Sequence, residues 1–206
     1  YFLDPAFKLG LVYKINGRNR LKLNALAETT APYARDAYIS QRVHDAVVSN
    51  IYTHDAAKNL KDFYAASEKV VSADLTYEFN YPIVRGRVTG FFTQTWNGTE
   101  LNGYYDDEAR TFVNQAMTGI DKRYMGVEAA LSVKLGTYFT LTGAASVGDY
   151  RYTSDATAVT SAENGMPMTQ DQGTNELVFE TMDKVLLKGV KLSSGPQANA
   201  SLKLSF

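Results

Sequence analysis

Aromatic and guanidinium side chains are concentrated in two segments that lack a regular hydrophobic period. Residues 30–70 contain Tyr38 and Arg42, and residues 94–124 contain Trp96, Tyr104, Tyr105 and Arg110. Aromatic faces beside charged groups suit the binding of a polar ligand such as a sugar or a peptide. We predict ligand binding at these six residues. The alternative for each of them is that it packs the segments against each other.

Other reactive residues do not form a known catalytic or metal-binding pattern. His44 and His54 are too far apart in sequence for a typical pair of zinc ligands. The acidic run Asp106–Glu108 lacks the alternating oxygen ligands of a calcium loop. The sequence contains neither a phosphate-binding glycine loop nor a nucleophile elbow. We therefore expect no catalytic site, metal or cofactor, and no enzymatic activity.

The elements that would position these residues are β-strands. Apolar and polar residues alternate with period 2, which predicts half-buried strands. Asn-Gly at Asn16–Gly17 predicts a hairpin, and further turns are expected at Asn80–Ile83 and Gly136–Thr137. The alternation predicts seven strands, at Phe7–Ile15, Leu21–Thr29, Val71–Phe79, Val84–Thr93, Met125–Leu135, Phe139–Val147 and Ala198–Phe206.

Short and long connections between these strands alternate. The long ones are predicted at about residues 30–70, 94–124 and 148–197. Strict alternation sends all the long connections to one side of the sheet. Outer-membrane barrels have this design, with short periplasmic turns and long extracellular loops. A stretch of 9–11 alternating residues is also the length that crosses a bilayer at a tilt.

The two faces of the predicted strands differ in chemistry. One is apolar, with aromatic residues near the short turns, as in an interfacial girdle. The other carries charges of both signs, which suits a wet or plugged lumen better than a dry core. These charges are Lys8, Lys14, Lys22, Glu28, Asp74, Glu78, Arg85, Arg87, Glu128, Lys134 and Lys203.

Composition excludes several classes of protein. The 206 residues include 21 Lys+Arg and 22 Asp+Glu, a balance that gives no reason to expect nucleic acid as a partner. No apolar run approaches the ~18 residues of a transmembrane helix. The absence of cysteine excludes disulfides and thiolate chemistry.

Strand alternation alone leaves a soluble β-sandwich, acting as a binding or adhesin domain, as an alternative. A third alternative is a complete small barrel without transport function, with an eighth strand from Val185–Leu192.

Four segments resemble TonB-dependent outer-membrane receptors, in the branch that contains SusC-like importers. They are Ser67–Val70 with the following strand Ser72–Phe79, Met117–Glu128, Gly148–Tyr152 and Gly195–Gln197. The resemblance covers most of the chain and corresponds to a late, C-terminal part of the barrel. These motifs mark the borders between strands and loops, and they do not identify a substrate.

The resemblance implies an all-β fold, an antiparallel transmembrane β-barrel segment of about seven strands that is part of a barrel of about 22 strands. It implies active import of a glycan, a peptide or a chelate across the bacterial outer membrane. The expected partners are outer-membrane lipid, the remaining barrel and plug of the same receptor, a TonB-type energising protein and a surface lipoprotein. Because an open sheet edge cannot persist in lipid, we expect the rest of the barrel to lie outside residues 1–206.

Overall fold

The structure, a computed structural model, describes residues 3–31, 67–107, 110–162, 169–170, 177–178, 180–192 and 197–206. These residues form eleven strands, and none of them forms a helix long and apolar enough to cross a membrane. The strands are β1 (Ala6–Lys14), β2 (Asn19–Thr30), β3 (Glu68–Asn80), β4 (Val84–Asp106), β5 (Thr111–Leu135), β6 (Phe139–Tyr152), β7 (Ala156–Ala162), β8 (Thr169–Gln170), β9 (Leu177–Val178), β10 (Glu180–Val185) and β11 (Ala198–Ser205).

Nine of these strands form one antiparallel sheet, whose main order is β1-β2-β3-β4-β5-β6-β11. Strand β7 pairs with the same neighbour as β6, because β5 contacts β6 over Lys122–Leu135 and then β7 over Val113–Thr118. Strand β10 pairs with β7, and Lys191 then pairs with Arg151 of β6. β7 therefore extends β6, while β10 and Val190–Leu192 lie above β11 along the same edge. The described sheet has seven columns of strands and is not closed.

All seven predicted strands are present in the structure, and their ends at the short turns lie within a few residues of the predicted ones. The long connections differ from the prediction. Most of residues 94–124 is the outer part of the β4–β5 hairpin, which stays paired as far as Asp106 and Thr111. Much of 148–197 is likewise paired as β6, β7 and β10. The alternation between an apolar and a polar face fails in part of these segments, because residues of both faces of β5, such as Val113 and Ala116, are buried, so period 2 did not reveal these strands. The predicted loop at 30–70 lies mostly outside the described residues.

The segment Val185–Leu192, predicted as a possible eighth strand, runs beside β6 and β7. It occupies the column of β11 rather than a new one, since Leu192 donates a backbone hydrogen bond to Tyr150 and Tyr152 donates one to Val190. A small barrel closed by an eighth column is therefore not formed by the described residues.

The first hairpin turn is confirmed in position and differs in mechanism. The type I′ turn favoured by Asn-Gly needs positive φ at its centre, but Gly17 is not among the residues with positive φ. Instead, the Asn16 side chain accepts hydrogen bonds from the amides of Arg18 and Asn19, each 2.9 Å long. The turn between β5 and β6 does use a left-handed glycine, Gly136, with φ of 77°.

Directly paired residues share a face of an antiparallel sheet, and the pairing gathers the apolar residues into an apolar band across all seven columns. The band comprises the odd-numbered residues of Phe7–Tyr13, Leu21–Ala27, Val71–Phe79, Met125–Leu135 and Phe139–Val147, and the even-numbered residues of Val84–Phe92 and Ala198–Phe206.

The apolar band is open to the surroundings. The side chains of Leu75, Val88 and Leu131 are 53 %, 43 % and 45 % exposed. Throughout the described part of the chain, extensive contacts occur only between hydrogen-bonded neighbours, so no second sheet packs on this face. A β-sandwich would bury these residues between two sheets. The described residues therefore form a single layer and not a sandwich.

The borders of the apolar band cross the sheet obliquely. At the long-connection end, the last apolar residues of β2 and β3 are the directly paired Ala27 and Val71. On β4 the last apolar residue is Phe92. It lies two residues nearer the short turns, because Val71 is paired with Gln94, two residues beyond Phe92. On β5 it is Met125, which is paired with Phe92. On β6 it is Val147, two residues nearer the short turns again, because the residue paired with Met125 is Asp149. The border thus drops by about one residue per strand.

The border at the short-turn end slants in the same direction. On β2 the last apolar residue is Leu21, which lies in one row with Tyr77, Val88, Ala129 and Ala145. On β6 the band continues six residues past Ala145, to Phe139. Between β2 and β6, the borders are therefore inclined to the hydrogen-bonded rows by roughly 1 residue per strand at the long-connection end and roughly 1.5 at the short-turn end.

Aromatic rings mark the border at the short turns. The ring centroids of Tyr77 and Phe79 lie 6.0 Å apart, and those of Phe79 and Tyr81 lie 6.4 Å apart. The buried side chain of Asn19 links this group to the first turn. It accepts a hydrogen bond of 2.7 Å from the Tyr77 hydroxyl and donates one of 3.1 Å to Tyr81. The aromatic border predicted for this end is thus an ordered, hydrogen-bonded group.

Beyond the other border, three adjacent columns are bent at one level. The β4–β5 register shifts on both sides of Gly98, and Asn97 has φ of 61°. Next to it, Gly119 of β5 has φ of 72°. The Asp121 carboxylate accepts the Asn97 amide proton at 3.1 Å. Between β6 and β7, the Ser154 hydroxyl accepts from the Asp121 amide and donates to the Gly119 carbonyl, both at 2.8 Å. We call these residues the joint.

Above the joint lies the buried core of the described residues. Met117, Ile120, Ala156 and Ala158 are buried together, and Tyr152, Val185 and Leu187 pack against them. Asp155 ties the incoming chain to this core by accepting the Lys188 amide proton at 3.1 Å. That hydrogen bond, aided by Lys184, holds the pKa of Asp155 below its usual value. The extension above the joint thus has a protein core of its own.

The joint leads to the first prediction. Replacing Ser154→Ala removes two hydrogen bonds and leaves the Asp121 amide without its partner. We expect a loss of about 1–2 kcal/mol in the free energy of unfolding, measured by urea titration of the purified protein. Ser146→Ala is the matched control, because Ser146 also belongs to this column but its hydroxyl makes no hydrogen bond within the described residues. Equal stability of the two variants would contradict a structural role of the joint.

Candidate functional site: the polar face of the sheet

The face opposite the apolar band is built by the alternate residues of the same strands. All eleven charged residues that the sequence assigned to this face lie on it. Its rows combine side chains from neighbouring strands: Lys14, Arg20, Glu78 and Arg87, for example, are paired one after another across β1 to β4. The face is polar along its whole height, but three levels of it differ in chemistry.

The level nearest the short turns is strongly basic, and we call it the basic field. It contains two carboxylates, Glu78 and Glu128, among eight cations: Lys14, Arg18, Arg20, Lys22, Arg85, Arg87, Lys134 and Lys203. Glu78 accepts hydrogen bonds from Arg20 and, at 2.6 Å, from Lys22. Arg85 and Arg87 contact no carboxylate of the described residues. They line a shallow concavity of about 660 Å³.

The middle level is held by hydroxyl and amide groups. Ser72 and Thr93 are 2.7 Å apart across β3 and β4, and Thr76 and Thr89 are 2.9 Å apart two pairs below on the same face. Each hydroxyl of such a pair can donate or accept, so the pairs leave donors and acceptors for water or a polar solute.

The upper level carries an aromatic strip formed by Phe91, Tyr124 and Tyr150. The Tyr150 ring centroid lies 6.4 Å from that of Phe91 and 5.7 Å from that of Tyr124. Two glycines make room for these rings. A Cβ on Gly148 would lie 2.6 Å from three atoms of the Tyr150 side chain, and one on Gly126 would lie 2.8 Å from Phe91. The rings therefore cover glycine backbone on one side, an arrangement that stabilises strands.

Lys122 continues the aromatic strip towards the joint. Its ammonium group lies 2.5 Å from a Glu100 oxygen and 5.8 Å from the centre of the Tyr152 ring. Cations over aromatic faces and half-buried tyrosines are groups that bind sugars and peptides. The polar face thus offers charges, hydroxyl groups and rings to a polar ligand, which is binding chemistry.

The structure describes four of the six predicted ligand-binding residues. Tyr38 and Arg42 lie outside the described residues. Tyr104, Tyr105 and Arg110 come together at the tip of the β4–β5 hairpin. There the Tyr105 ring meets Phe112 edge to face with centroids 5.3 Å apart, and Arg110 is exposed with φ of 51°.

Trp96 does not join this group. It pairs directly with Lys69 and lies on the face of Phe92, because the alternation of β4 continues unbroken to this point. It therefore lies in strand β4, beyond the border of the apolar band and on the same face as the band, rather than in a loop.

The aromatic strip was not among the predicted ligand-binding residues. Phe91 had one visible signal, since it is an aromatic residue on the charged face of an alternating strand. Tyr124 and Tyr150 had none, because they lie where the strands were expected to give way to loops. Among the described residues, no three His, Cys, Asp or Glu side chains are placed to hold a metal ion.

The basic field leads to the second prediction. Glu78→Gln removes the counter-charge of Arg20 and Lys22, so we expect the free energy of unfolding to fall by about 1 kcal/mol at low salt. Because salt screens the remaining repulsion, 0.5 M NaCl should reduce this loss.

Denaturant titrations at two salt concentrations measure the effect. Glu128→Gln is the control, since Glu128 shares the face and has no ion pair with a described residue. A loss for Glu78→Gln that is independent of salt would show that the carboxylate does not act through charge.

Comparison with known proteins provides no functional template. No protein-family model, no curated protein and no solved structure matches the chain. The resemblance to TonB-dependent receptors therefore stays a prediction, and a function has to be argued from the two faces of the sheet.

Proposed function

We propose that residues 1–206 form part of the transmembrane barrel of a bacterial outer-membrane receptor that imports a nutrient actively. The apolar band lies against lipid and the polar face lines the lumen. The short turns face the periplasm, and the extension above the joint projects outside the cell. The nutrient is a glycan, a peptide or a chelate, and the energy comes from a TonB-type protein of the inner membrane.

The slant of the apolar band is the observation that carries the membrane assignment. Each residue rises about 3.3 Å along a strand, and neighbouring strands lie about 4.8 Å apart. A border that shifts by roughly 1–1.5 residues per strand is therefore inclined by roughly 35–45° to the hydrogen-bonded rows, which are perpendicular to the strands. Transmembrane β-strands are tilted by about 35–45° from the membrane normal. A lipid belt that is level with the membrane plane would cross tilted strands at this angle.

The height of the band supports the same assignment. Most columns contribute nine residues to it, as in Val71–Phe79 and Phe139–Val147. Nine residues span roughly 30 Å along a strand, and a tilt of about 40° reduces this to about 23 Å. The outward apolar band of outer-membrane barrels is about 25 Å tall. Tyr13, Tyr77 and Tyr81 would then lie at the periplasmic interface, where tyrosine is common.

The edges of the sheet indicate how the segment would be completed. β1 and β11 each have one neighbour among the described strands. In lipid, unpaired backbone groups cost several kcal/mol each. The proposal therefore requires further strands of the same receptor beside both edges, as in a barrel of about 22 strands.

The polar face and the resemblance to TonB-dependent receptors together support import. The lumen of a barrel of about 22 strands is wide enough to need a plug, and the basic field and the aromatic strip would supply charged and stacking groups to the plug or to a solute that crosses the lumen. The plug, the energising protein and a surface lipoprotein are partners that the resemblance implies. The tip with Tyr104, Tyr105 and Arg110 would meet a ligand first.

The third prediction tests the orientation of the sheet. The chain has no cysteine, so single cysteines can be introduced at the adjacent residues Val88 and Arg87, which lie on opposite faces and are both exposed. A spin label at Val88→Cys should be relaxed by oxygen, which partitions into lipid. A label at Arg87→Cys should be relaxed by a water-soluble nickel chelate.

Leu131→Cys and Ala130→Cys form a second pair of the same design. The measurement uses the whole receptor reconstituted in lipid vesicles. Labels at Val88 and Leu131 that are immobile and shielded from both relaxing agents would indicate a protein core, and would overturn the proposal in favour of a soluble binding or adhesin domain.

A further inference from the structure

A row of cations lies directly beyond the apolar band on the same face. Arg123 of β5 is paired with Arg151 of β6, and Arg151 is paired with Lys191. The row begins at Gln94 of β4, which faces Arg123. The register is secure at Lys191, because the flanking residues Val190 and Leu192 also exchange backbone hydrogen bonds with this column. Three cationic side chains on neighbouring strands thus share one face and one level.

Like charges directly opposite each other destabilise a sheet, and within the part of the chain that the structure describes this row has one counter-charge. One Asp149 oxygen lies 3.3 Å from an Arg123 Nη and the other lies 2.5 Å from Arg151 Nε. Lys191 is exposed and contacts no carboxylate of the described residues. The Nε of Arg123 has no hydrogen-bond partner among the described residues. The group Arg123, Asp149, Arg151 and Lys191, which we call the cationic border, carries a net charge of +2.

The spacing of the cationic border suits one kind of anion. Neighbouring strands lie about 4.8 Å apart, so the cations are close enough for two of them to contact the oxygens of one phosphate group. Guanidinium groups bind phosphate through paired hydrogen bonds. The side chains of Arg123 and Arg151 remain 35 % and 41 % exposed beside Asp149, so an anion can reach them.

The position of the cationic border indicates that the phosphate belongs to a lipid. Met125 and Val147, which end the apolar band on these columns, lie next to Arg123 and Asp149 along the strands. A lipid whose chains cover the band has its headgroup at the level of the cations. Trp96 and Lys69 lie slightly farther from the band on β4 and β3, and tryptophan and lysine are typical of this interface.

We propose that the cationic border binds the phosphate of a lipid headgroup in the outer leaflet, and so fixes the depth and rotation of this part of the barrel. The inference rests on the proposed membrane function, and adds a lipid-specific site to it. Lys191 and Arg151 are the more accessible ligands, because Lys191 is exposed and the Arg151 side chain is 41 % exposed against 35 % for Arg123.

The experiment uses the whole receptor in detergent micelles that contain phosphatidylglycerol, with bound lipid counted by native mass spectrometry. Each cation near a membrane surface contributes about fivefold in affinity for anionic lipid. Lys191→Gln should weaken phosphatidylglycerol binding about fivefold, and the double variant Arg151→Gln, Lys191→Gln about twentyfold or more. Arg87→Gln, which removes the same charge from the polar face, should leave binding unchanged.

Two results would overturn the lipid site. The first is equal binding of phosphatidylglycerol by the wild type and the double variant. The second is displacement of the lipid by an equal concentration of inorganic phosphate, which would make the border a site for the free anion. Spin labels separate this failure from that of the proposed function. If Val88→Cys is in contact with lipid while the double variant binds phosphatidylglycerol normally, only the cationic border is refuted.

Discussion

The hydrogen-bonded register of the antiparallel ladder is the constraint on which the rest of the structure depends. Because side chains alternate along each strand, a slip of one residue between two columns would move an entire strand's apolar set to the other face. The register from β1 to β6 is unbroken below the joint. It therefore determines at once the apolar band, the basic field and the slanted borders. Neither face has a second layer of described strands to enforce this arrangement.

That register explains which parts of the structure were predictable. Alternating residues such as Val71 to Phe79 reveal a strand because one side of it is apolar and the other polar. Above the joint this contrast disappears, since Val113 and Ala116 lie on opposite faces of β5 and are both buried. Period 2 then carries no signal, and the outer halves of β4 and β5 were mistaken for a loop. The register shifts at Gly98 depend on partners in other columns and could not be inferred from local sequence.

The candidate site shows the same division. Its charges were predictable because a carboxylate or a guanidinium group on an otherwise alternating strand indicates the polar face. The aromatic strip was not, because it depends on contacts between strands: the Tyr150 ring of β6 packs beside Phe91 of β4 and Tyr124 of β5, and Phe91 covers Gly126 of β5. The face of Trp96 could not be predicted for a related reason. Its type suggested a ligand, but its face follows from its pairing with Lys69, and that pairing needs β4 to extend past Phe92.

The joint separates two ways of stabilising a sheet. Below it, apolar side chains such as Leu75 are exposed among the described residues, and in the proposed orientation lipid removes them from water. Above it, Ile120 and Ala158 are buried completely by protein, so these side chains need no lipid to remove them from water. Bulges bend strands and re-aim their side chains, and here they lie at the level where the environment would change in the proposed orientation. The Ser154 and Asp121 hydrogen bonds satisfy the backbone groups that the bulges free. The cationic border lies just below them, so the apolar band, the cations and the joint follow each other in the order expected for acyl chains, headgroups and water.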